Sequence, residues 1–140
     1  MPWTILRATQ FHTLIEFFLG RFARFPGLHP LPYRWQFQPV DPSEVGTRLA
    51  ELAVAAPAGL LPDFGGPEVR DLRSLADSWR RARGVRKPII NLPLPFRVSR
   101  QLAAGRLLCP DHRTGKITFE QYLEGTRLNG SRDQATVTRP

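Results

Sequence analysis

The most constraining feature of the sequence is the apolar, β-branched run at residues 3–7, Trp-Thr-Ile-Leu-Arg, which follows Met1 and Pro2 with no turn or helix cap before it. A strand that is apolar on both faces is typical of the interior of a parallel sheet, where helices cover both sides. Such a strand needs parallel neighbours, and the rest of the sequence offers few. We therefore expect an α/β protein that forms the second half of a larger domain.

Two later helices carry clear terminal signals. Asp41 can cap a helix that has proline at its first position, with Glu44 completing a capping box. Asp71 can cap another, which Gly84 would close in the left-handed conformation. The first of these helices should bury one apolar face, formed by Val45, Leu49, Leu52, Ala53 and Ala56.

Other elements follow from periodicity and from proline. Aromatic residues at helical spacing predict a helix over residues 11–25, and further helices are expected over residues 95–107 and from residue 118. Short strands are expected at residues 34–38, 60–64 and 88–92, the second at a sheet edge because it contains a proline. The proline-rich residues 26–33 are predicted to be irregular and exposed.

Strands that alternate with helices predict an α/β fold with a partial Rossmann-like parallel sheet. Beyond Gly125 the composition becomes polar, so we expect one domain over residues 1–125 and a disordered tail over residues 126–140.

The formal net charge is +8, carried almost wholly by arginine. One basic cluster, residues 80–87, could contact a polyanion; alternatively it is a solvated helix end, where positive charge is favourable. We favour the second interpretation, and so do not expect nucleic acid as the partner.

Cys109 is the only cysteine, which excludes an internal disulfide and fits a reducing compartment. No signal-peptide pattern or membrane-spanning stretch is visible, so we expect a cytoplasmic protein.

The sequence contains no catalytic apparatus that we can identify. It has neither a Gly-x-Gly-x-x-Gly nor a Walker motif, and Pro67 removes an amide donor next to the pair Gly65-Gly66. It has no Tyr-x-x-x-Lys pair. Residues 109–112, Cys-Pro-Asp-His, lack the spaced second pair that a zinc site needs. We therefore assign no catalytic residue and no metal ligand.

The loop Ala8, Thr9, Gln10 and Phe11 is the exception, because it follows the first strand directly. In open parallel sheets, ligands bind beyond the carboxyl ends of the strands. The loop offers a hydroxyl, an amide and an aromatic ring, which favours a ligand contact. Alternatively, Thr9 merely caps the helix that follows.

Three segments resemble a known family when taken in order. Residues 2–11 are similar to the late central strand and loop of atypical short-chain dehydrogenases/reductases, in the NmrA-like or nucleoside-diphosphate-sugar-epimerase-like group. Residues 37–45 resemble their "V-D-x-x-D-V" segment, and residues 65–69, followed by Leu72 and Leu75, resemble their "G-P-E" turn and helix. The resemblance spans residues 2–124.

This resemblance implies a Rossmann-type sheet with a small substrate lobe, in which the strand near residues 35–38 pairs with that near 88–92. It also implies NAD(P) as cofactor, with Ala8, Thr9, Gln10 and Phe11 facing its nicotinamide end. The dinucleotide loop and the Tyr-x-x-x-Lys dyad of the family would both lie before Met1. The chain alone should then be inactive and bind the cofactor weakly or not at all. Its partner would be the missing amino-terminal half or a second copy. The alternative is a small basic module that binds nucleic acid or protein.

Overall fold

The computed structural model describes residues 1–137, with side-chain environments for residues 1–129. Over residues 1–137, five helices alternate with short strands, so the predicted α/β class is confirmed. The helices are α1 (His12–Phe22), α2 (Pro42–Ala53), α3 (Leu72–Arg83), α4 (Arg97–Ala103) and α5 (Phe119–Val137).

The strands form three pairs, two of which are parallel. β1 (Thr4–Ile5) is parallel to β4 (Gly59–Leu60), and β2 (His29–Leu31) is parallel to β6 (Ile89–Asn91). β3 (Gln36–Phe37) is antiparallel to β5 (Arg70–Asp71). Isolated parallel bridges join Ala8 to Phe64 and Phe11 to Val40. The β1 segment therefore has neighbours from within the chain, and the parallel sheet is partial.

Two expectations about the strands are wrong. Residues 26–33 are not an exposed connection, because His29–Leu31 is a fully buried strand. Pro30 is tolerated there because the bonds to the β6 segment are made by its neighbours, His29 through its amide and Leu31 through its carbonyl. The strand near residues 35–38 does not pair with that near 88–92 either: β3 pairs with β5, and β6 pairs with β2.

The capped helix starts are confirmed. The Asp41 carboxylate accepts from the Ser43 amide at 2.8 Å, and the Asp71 carboxylate accepts from the Ser74 amide at 2.7 Å. Gly84 closes α3 at a φ of 69°. Glu44 does not complete a capping box. Its carboxylate instead accepts from the amides of residues 116 and 117, and so ties α2 to the segment before α5.

Helix α5 is longer than the composition suggests. It continues to Val137, although the sequence predicts a disordered tail from residue 126. The helix contains two glycines, Gly125 and Gly130, each of which costs only about 1 kcal/mol, and no proline follows before Pro140. Residues 138–140 of the predicted tail lie outside the described residues. Within residues 1–137, no helix combines the length and the apolar content that a bilayer crossing requires.

The hydrophobic interior is divided into two unequal parts. The larger, which we call the main core, lies where α1, α3 and α5 pack beside β2 and α4, and its buried members are Ile15, Leu19, Leu31, Phe37, Leu72, Leu75, Ala76, Trp79, Leu102, Phe119 and Leu123. The smaller, which we call the small core, joins Val40, Val45 and Phe64, with Leu6 packed against them. The β1–β4 pair and α2 therefore rest on the small core.

The other face of the β1–β4 pair is uncovered. Ile5 and Leu60 are in register and share this face with Trp3, which lies two residues before Ile5. Their exposed fractions are 48%, 59% and 54%. We call these three residues the open face. On α2, Val45 is buried as predicted, but Leu49 is half exposed and the expected apolar face of this helix is largely uncovered as well.

One edge of β1 is also open. The carbonyls of Trp3, Ile5 and Arg7 accept hydrogen bonds from the β4 segment. Because backbone groups alternate in direction along a strand, Thr4 and Leu6 turn theirs to the opposite edge. On that edge the structure shows pairing only further along, where Val40 bonds Gln10 and His12. Thr4 and Leu6 thus present a strand edge without a neighbouring strand among the described residues.

Candidate functional site

Residues 8–11 leave the carboxyl end of β1 and lie where several segments meet. The Thr9 hydroxyl donates to the Gln38 carbonyl at 2.5 Å and accepts from the Gly66 amide at 3.3 Å. The Gln10 side chain accepts from the Gln38 amide and donates to the Leu107 carbonyl, each at 3.3 Å. These side chains hold the ends of β1, β3 and β4 together.

Thr9 therefore does not cap α1, and that interpretation is wrong. Phe11 occupies the N-cap position and makes no side-chain cap bond. The polar groups of Thr9 and Gln10 are used internally and both residues are half-buried, whereas Ala8 and Phe11 are the exposed residues of this loop, Phe11 at 37%. A cofactor contact by Ala8, Thr9, Gln10 and Phe11 stays a prediction. Such a contact would be mainly apolar and through the backbone.

Residues 8–11 and the segments that they bond, which include Gln38 and Gly66, form what we call the junction. Gln38 lies buried at its centre. Its side-chain nitrogen donates to the carbonyls of Gly66 and Cys109, at 2.9 and 3.2 Å, and its side-chain oxygen accepts from the Cys109 amide at 2.9 Å. The side chain is fully buried. The sequence does not predict this buried role, because Gln38 alternates with aromatic residues and so fits the solvent face of an edge strand.

Gly65 and Gly66 lie so close to neighbouring residues that there is no room for a side chain at either position. A Cβ at Gly66 would overlap the Pro39 carbonyl, and one at Gly65 would overlap the Gln38 side chain. Their amides are already bonded, Gly65 to the His112 carbonyl and Gly66 to Thr9. Since phosphate-binding loops need free amides, this glycine pair does not fit the pyrophosphate of a dinucleotide.

Cys109 lies beside this glycine pair and is unsuited to act as a nucleophile. It is buried, and burial, with a contribution from the Asp63 carboxylate, raises the pKa of its thiol. Thiolate character, which reactivity requires, is therefore disfavoured. Asp63 itself pairs with Arg7 at 2.8 Å on the surface. Within residues 1–129, whose side chains the structure describes, His, Cys, Asp and Glu form no group of three that could hold a metal ion.

Two other titratable groups are buried in the main core. His12 donates from Nε2 to the Ile117 carbonyl, 2.9 Å away, and stacks on Tyr122 with ring centroids 5.3 Å apart. His29 contacts the Leu19 carbonyl through Nε2 at 3.1 Å. Burial lowers the pKa of both imidazoles, so both are neutral at pH 7. Neither lies in a cavity, and each is explained by packing.

Glu16 forms a partly buried polar cluster at the edge of the same core. Its carboxylate pairs with Arg83 and accepts from the Tyr122 hydroxyl at 2.9 Å and the Trp79 indole at 3.3 Å. Burial, together with this hydrogen bond, raises the pKa of Tyr122 to about 12. The phenol is therefore not a candidate base, and the cluster joins α1, α3 and α5.

The basic cluster at residues 80–87 is largely used within the protein. Arg83 pairs with Glu16, and Arg80 with Asp77 at 3.6 Å. Lys87 donates to the carbonyls of Ala23 and Phe25. Cations committed in this way are less available to phosphates, and the expectation that nucleic acid is not the partner stays a prediction.

A second candidate site is a cavity of about 290 Å³, which we call the lobe cavity. Residues 32–35 and 91–94 line it, together with Ser99, Arg100 and Ala103 of α4. It therefore lies just beyond the carboxyl ends of the parallel strands β2 and β6, where open α/β sheets bind ligands. The sequence does not predict the lobe cavity, because its walls come from three separate segments and the strand β2 was not expected.

Comparisons with known proteins identify the fold. No protein-family model matches the sequence, and a comparison with curated proteins gives no match. Among solved structures, the fold is similar to that of a nucleoside-diphosphate-sugar epimerase from Staphylococcus aureus, with a TM-score of 0.56 and 14% sequence identity. The similarity covers 86% of this chain but 51% of the epimerase chain, so the chain spans about half the length of that protein. This confirms the partial Rossmann-like α/β fold.

Proposed function

We propose that the chain is the carboxyl-terminal half of an NAD(P)-binding oxidoreductase-like domain of the short-chain dehydrogenase/reductase or NmrA-like kind, and that it is inactive alone. The observation that carries the proposal is the uncovered β1–β4 pair. A central parallel strand is normally flanked by strands and covered by helices on both faces. Among the described residues, one edge of β1 lacks a neighbouring strand and one face lacks a covering helix.

The open edge supports a strand as the missing neighbour. The amides and carbonyls of Thr4 and Leu6 point away from β4. An unpaired edge is a template for strand addition, and its backbone groups gain most from a neighbour that excludes water. A segment that adds a strand beside residues 4–8 would extend the partial sheet, and about half of the epimerase chain lies outside the part that is similar to this chain.

The open face supports a covering helix from the same segment. Trp3, Ile5 and Leu60 expose about half of their surface, and contiguous apolar patches of this kind mark interaction sites. One partner that supplies both a strand and a helix is the α/β unit that carries a glycine-rich dinucleotide loop. The cofactor's pyrophosphate and the catalytic dyad would then belong to that partner. Residues 8–11 of this chain would contribute apolar and backbone contacts.

Cofactor titration tests the claim of inactivity. Purified chain is titrated with NADH and NADPH to about 1 mM and followed by fluorescence and calorimetry. We expect no saturable binding and no oxidation of either cofactor. Saturable binding in the micromolar range would contradict the proposal, because the chain would then contain a complete dinucleotide site.

Light scattering over a concentration series tests the open face. We expect the wild-type mass to rise above 15.9 kDa with concentration, since an uncovered face also recruits a second copy. The double variant Ile5→Lys/Leu60→Lys should remain at the monomer mass. Val54→Lys changes an apolar residue at the end of α2 that is more exposed than either Ile5 or Leu60, and it serves as the control, with the wild-type concentration dependence. A wild-type chain that is monomeric throughout would show that the open face is not an incomplete interface.

A further inference from the structure

We propose that the lobe cavity binds a small organic anion: a carboxylate or phosphate ester attached to a flat apolar body about the size of one ring. The proposal goes beyond the dinucleotide-binding function, because every group it uses belongs to this chain. Three features of the cavity carry it. They are its rigid aromatic walls, its unneutralised cations and its place at the carboxyl ends of two parallel strands.

The aromatic walls are held in place by hydrogen bonds to the protein. The Trp35 indole nitrogen donates to Ser99 Oγ at 2.8 Å, and the Tyr33 hydroxyl donates to the Ile89 carbonyl at 2.8 Å. The Arg73 guanidinium lies over the Tyr33 ring, 4.8 Å from its centre. With their polar atoms satisfied, both side chains offer apolar surface in a fixed orientation. Walls ordered before binding reduce its entropic cost.

The charged part of the lining is entirely cationic. Arg34 and Arg100 both line the cavity, and no acidic residue does. Among the described residues, neither guanidinium is within ion-pair distance of a carboxylate. Two like charges on one small cavity repel each other, and a bound anion would relieve this repulsion. Arginine also matches carboxylate and phosphate oxygens with two parallel hydrogen bonds.

The size and polarity of the cavity define the ligand class. A volume of about 290 Å³ lies at the lower limit for ligand sites and suits a single ring with its head group. The remaining lining is mainly apolar, with leucine and proline from the segments after β2 and β6. A purely inorganic anion would leave these apolar walls in water, and a neutral ring would leave the arginines unpaired. Only a molecule with both parts uses the whole site.

Nuclear magnetic resonance of the indole protons tests the proposal on the intact chain. The Trp35 resonance, assigned with Trp35→Phe, reports on the cavity, and the Trp79 resonance in the main core serves as an internal reference. The probes are phenyl phosphate and benzoate as aromatic anions, benzamide as their neutral counterpart, and inorganic phosphate. We expect the aromatic anions to shift the Trp35 signal saturably. Benzamide and inorganic phosphate should bind at least about tenfold more weakly. The tighter of the two anions identifies the preferred head group.

Charge-matched variants locate the site. Arg34→Gln and Arg100→Gln should each weaken phenyl phosphate binding about tenfold or more, since each removes a charged hydrogen-bond donor. Arg24→Gln makes the same charge change at an exposed position outside the cavity and should leave the affinity unchanged. An unshifted Trp35 signal, equal binding of benzamide, or equal effects of all three variants would each overturn the proposal. So would binding of single-stranded nucleic acid at Arg34 and Arg100 without competition by phenyl phosphate. The dinucleotide half plays no part in these measurements, so their failure would not affect the function proposed above.

Discussion

The main core and the small core contrast in how completely they are covered. The main core has eleven buried residues drawn from α1, β2, β3, α3, α4 and α5, whereas the small core has three. Above the small core lies the β1–β4 pair, with half-exposed apolar residues on its other face. Since burial of apolar surface is the dominant favourable term in folding, the first region can be stable alone, and the second depends on what covers it. The contrast also separates the two proposals: the main core supports the lobe cavity, and the β1–β4 pair carries the proposed interface.

The largest expected effect tests whether stability resides in the main core. Leu75 is fully buried in α3, so Leu75→Ala should lower the free energy of unfolding by about 2–5 kcal/mol. Leu49→Ala removes the same atoms from the half-exposed face of α2 and should change it by about 0.5 kcal/mol or less. Urea unfolding followed by circular dichroism measures both. Similar losses for the two variants would mean that α2 is covered in solution.

How far the sequence predicts this fold depends on whether the signal is local. The starts of α2 and α3 are predictable because Asp41 and Asp71 bond amides two and three residues away. The buried strand at His29–Leu31 is not predictable, because its partner lies 60 residues later in the chain and its proline is typical of an irregular connection. The predicted apolar face of α2 shows the same limit, since periodicity indicates which residues share a face but not whether anything lies against it.

The same distinction between local and distant signals applies to the two candidate sites. The position of residues 8–11 at a strand end is predictable from the strand that precedes them. Their internal hydrogen bonds to Gln38, Gly66 and Leu107 are not, because these residues lie 28 to 97 positions away in the chain. The lobe cavity was missed for the related reason that arginines are scattered through the sequence. Only the fold brings Arg34 and Arg100 to one cavity.

A smaller effect is expected at the junction that connects the two regions. Gly66→Ala should destabilise the protein by about 1–3 kcal/mol, because the added methyl group would overlap the Pro39 carbonyl and force the junction apart. Gly46→Ala is the matched control. Gly46 lies in α2 with open space around it, so alanine there should stabilise the protein by about 0.5–1 kcal/mol through helix propensity. Thermal unfolding measures both variants, and a neutral Gly66→Ala would show that the junction is looser than the structure implies.

The smallest expected effect concerns acid, and it falls on the main core. Burial lowers the folded-state pKa of His12 and of His29 below the ordinary value of 6.5. Above pH 6.5 both imidazoles are neutral in the folded and the unfolded chain, so they make no difference. As the pH falls below 6.5 the unfolded chain binds protons first, and the free energy of unfolding decreases until the folded-state pKa values are passed.

His12→Phe should therefore reduce the loss of stability on going from pH 7 to pH 5, while an aromatic ring still stacks on Tyr122. His112→Phe replaces an exposed histidine and should retain the wild-type dependence. Urea unfolding at a series of pH values gives the slope for each chain, and the slope, not the absolute stability, is the quantity compared. If His12→Phe keeps the full wild-type slope and His112→Phe loses it, the acid sensitivity lies at the junction beside Cys109 and not in the main core. The main core would then not be the region whose buried histidines make the protein sensitive to acid.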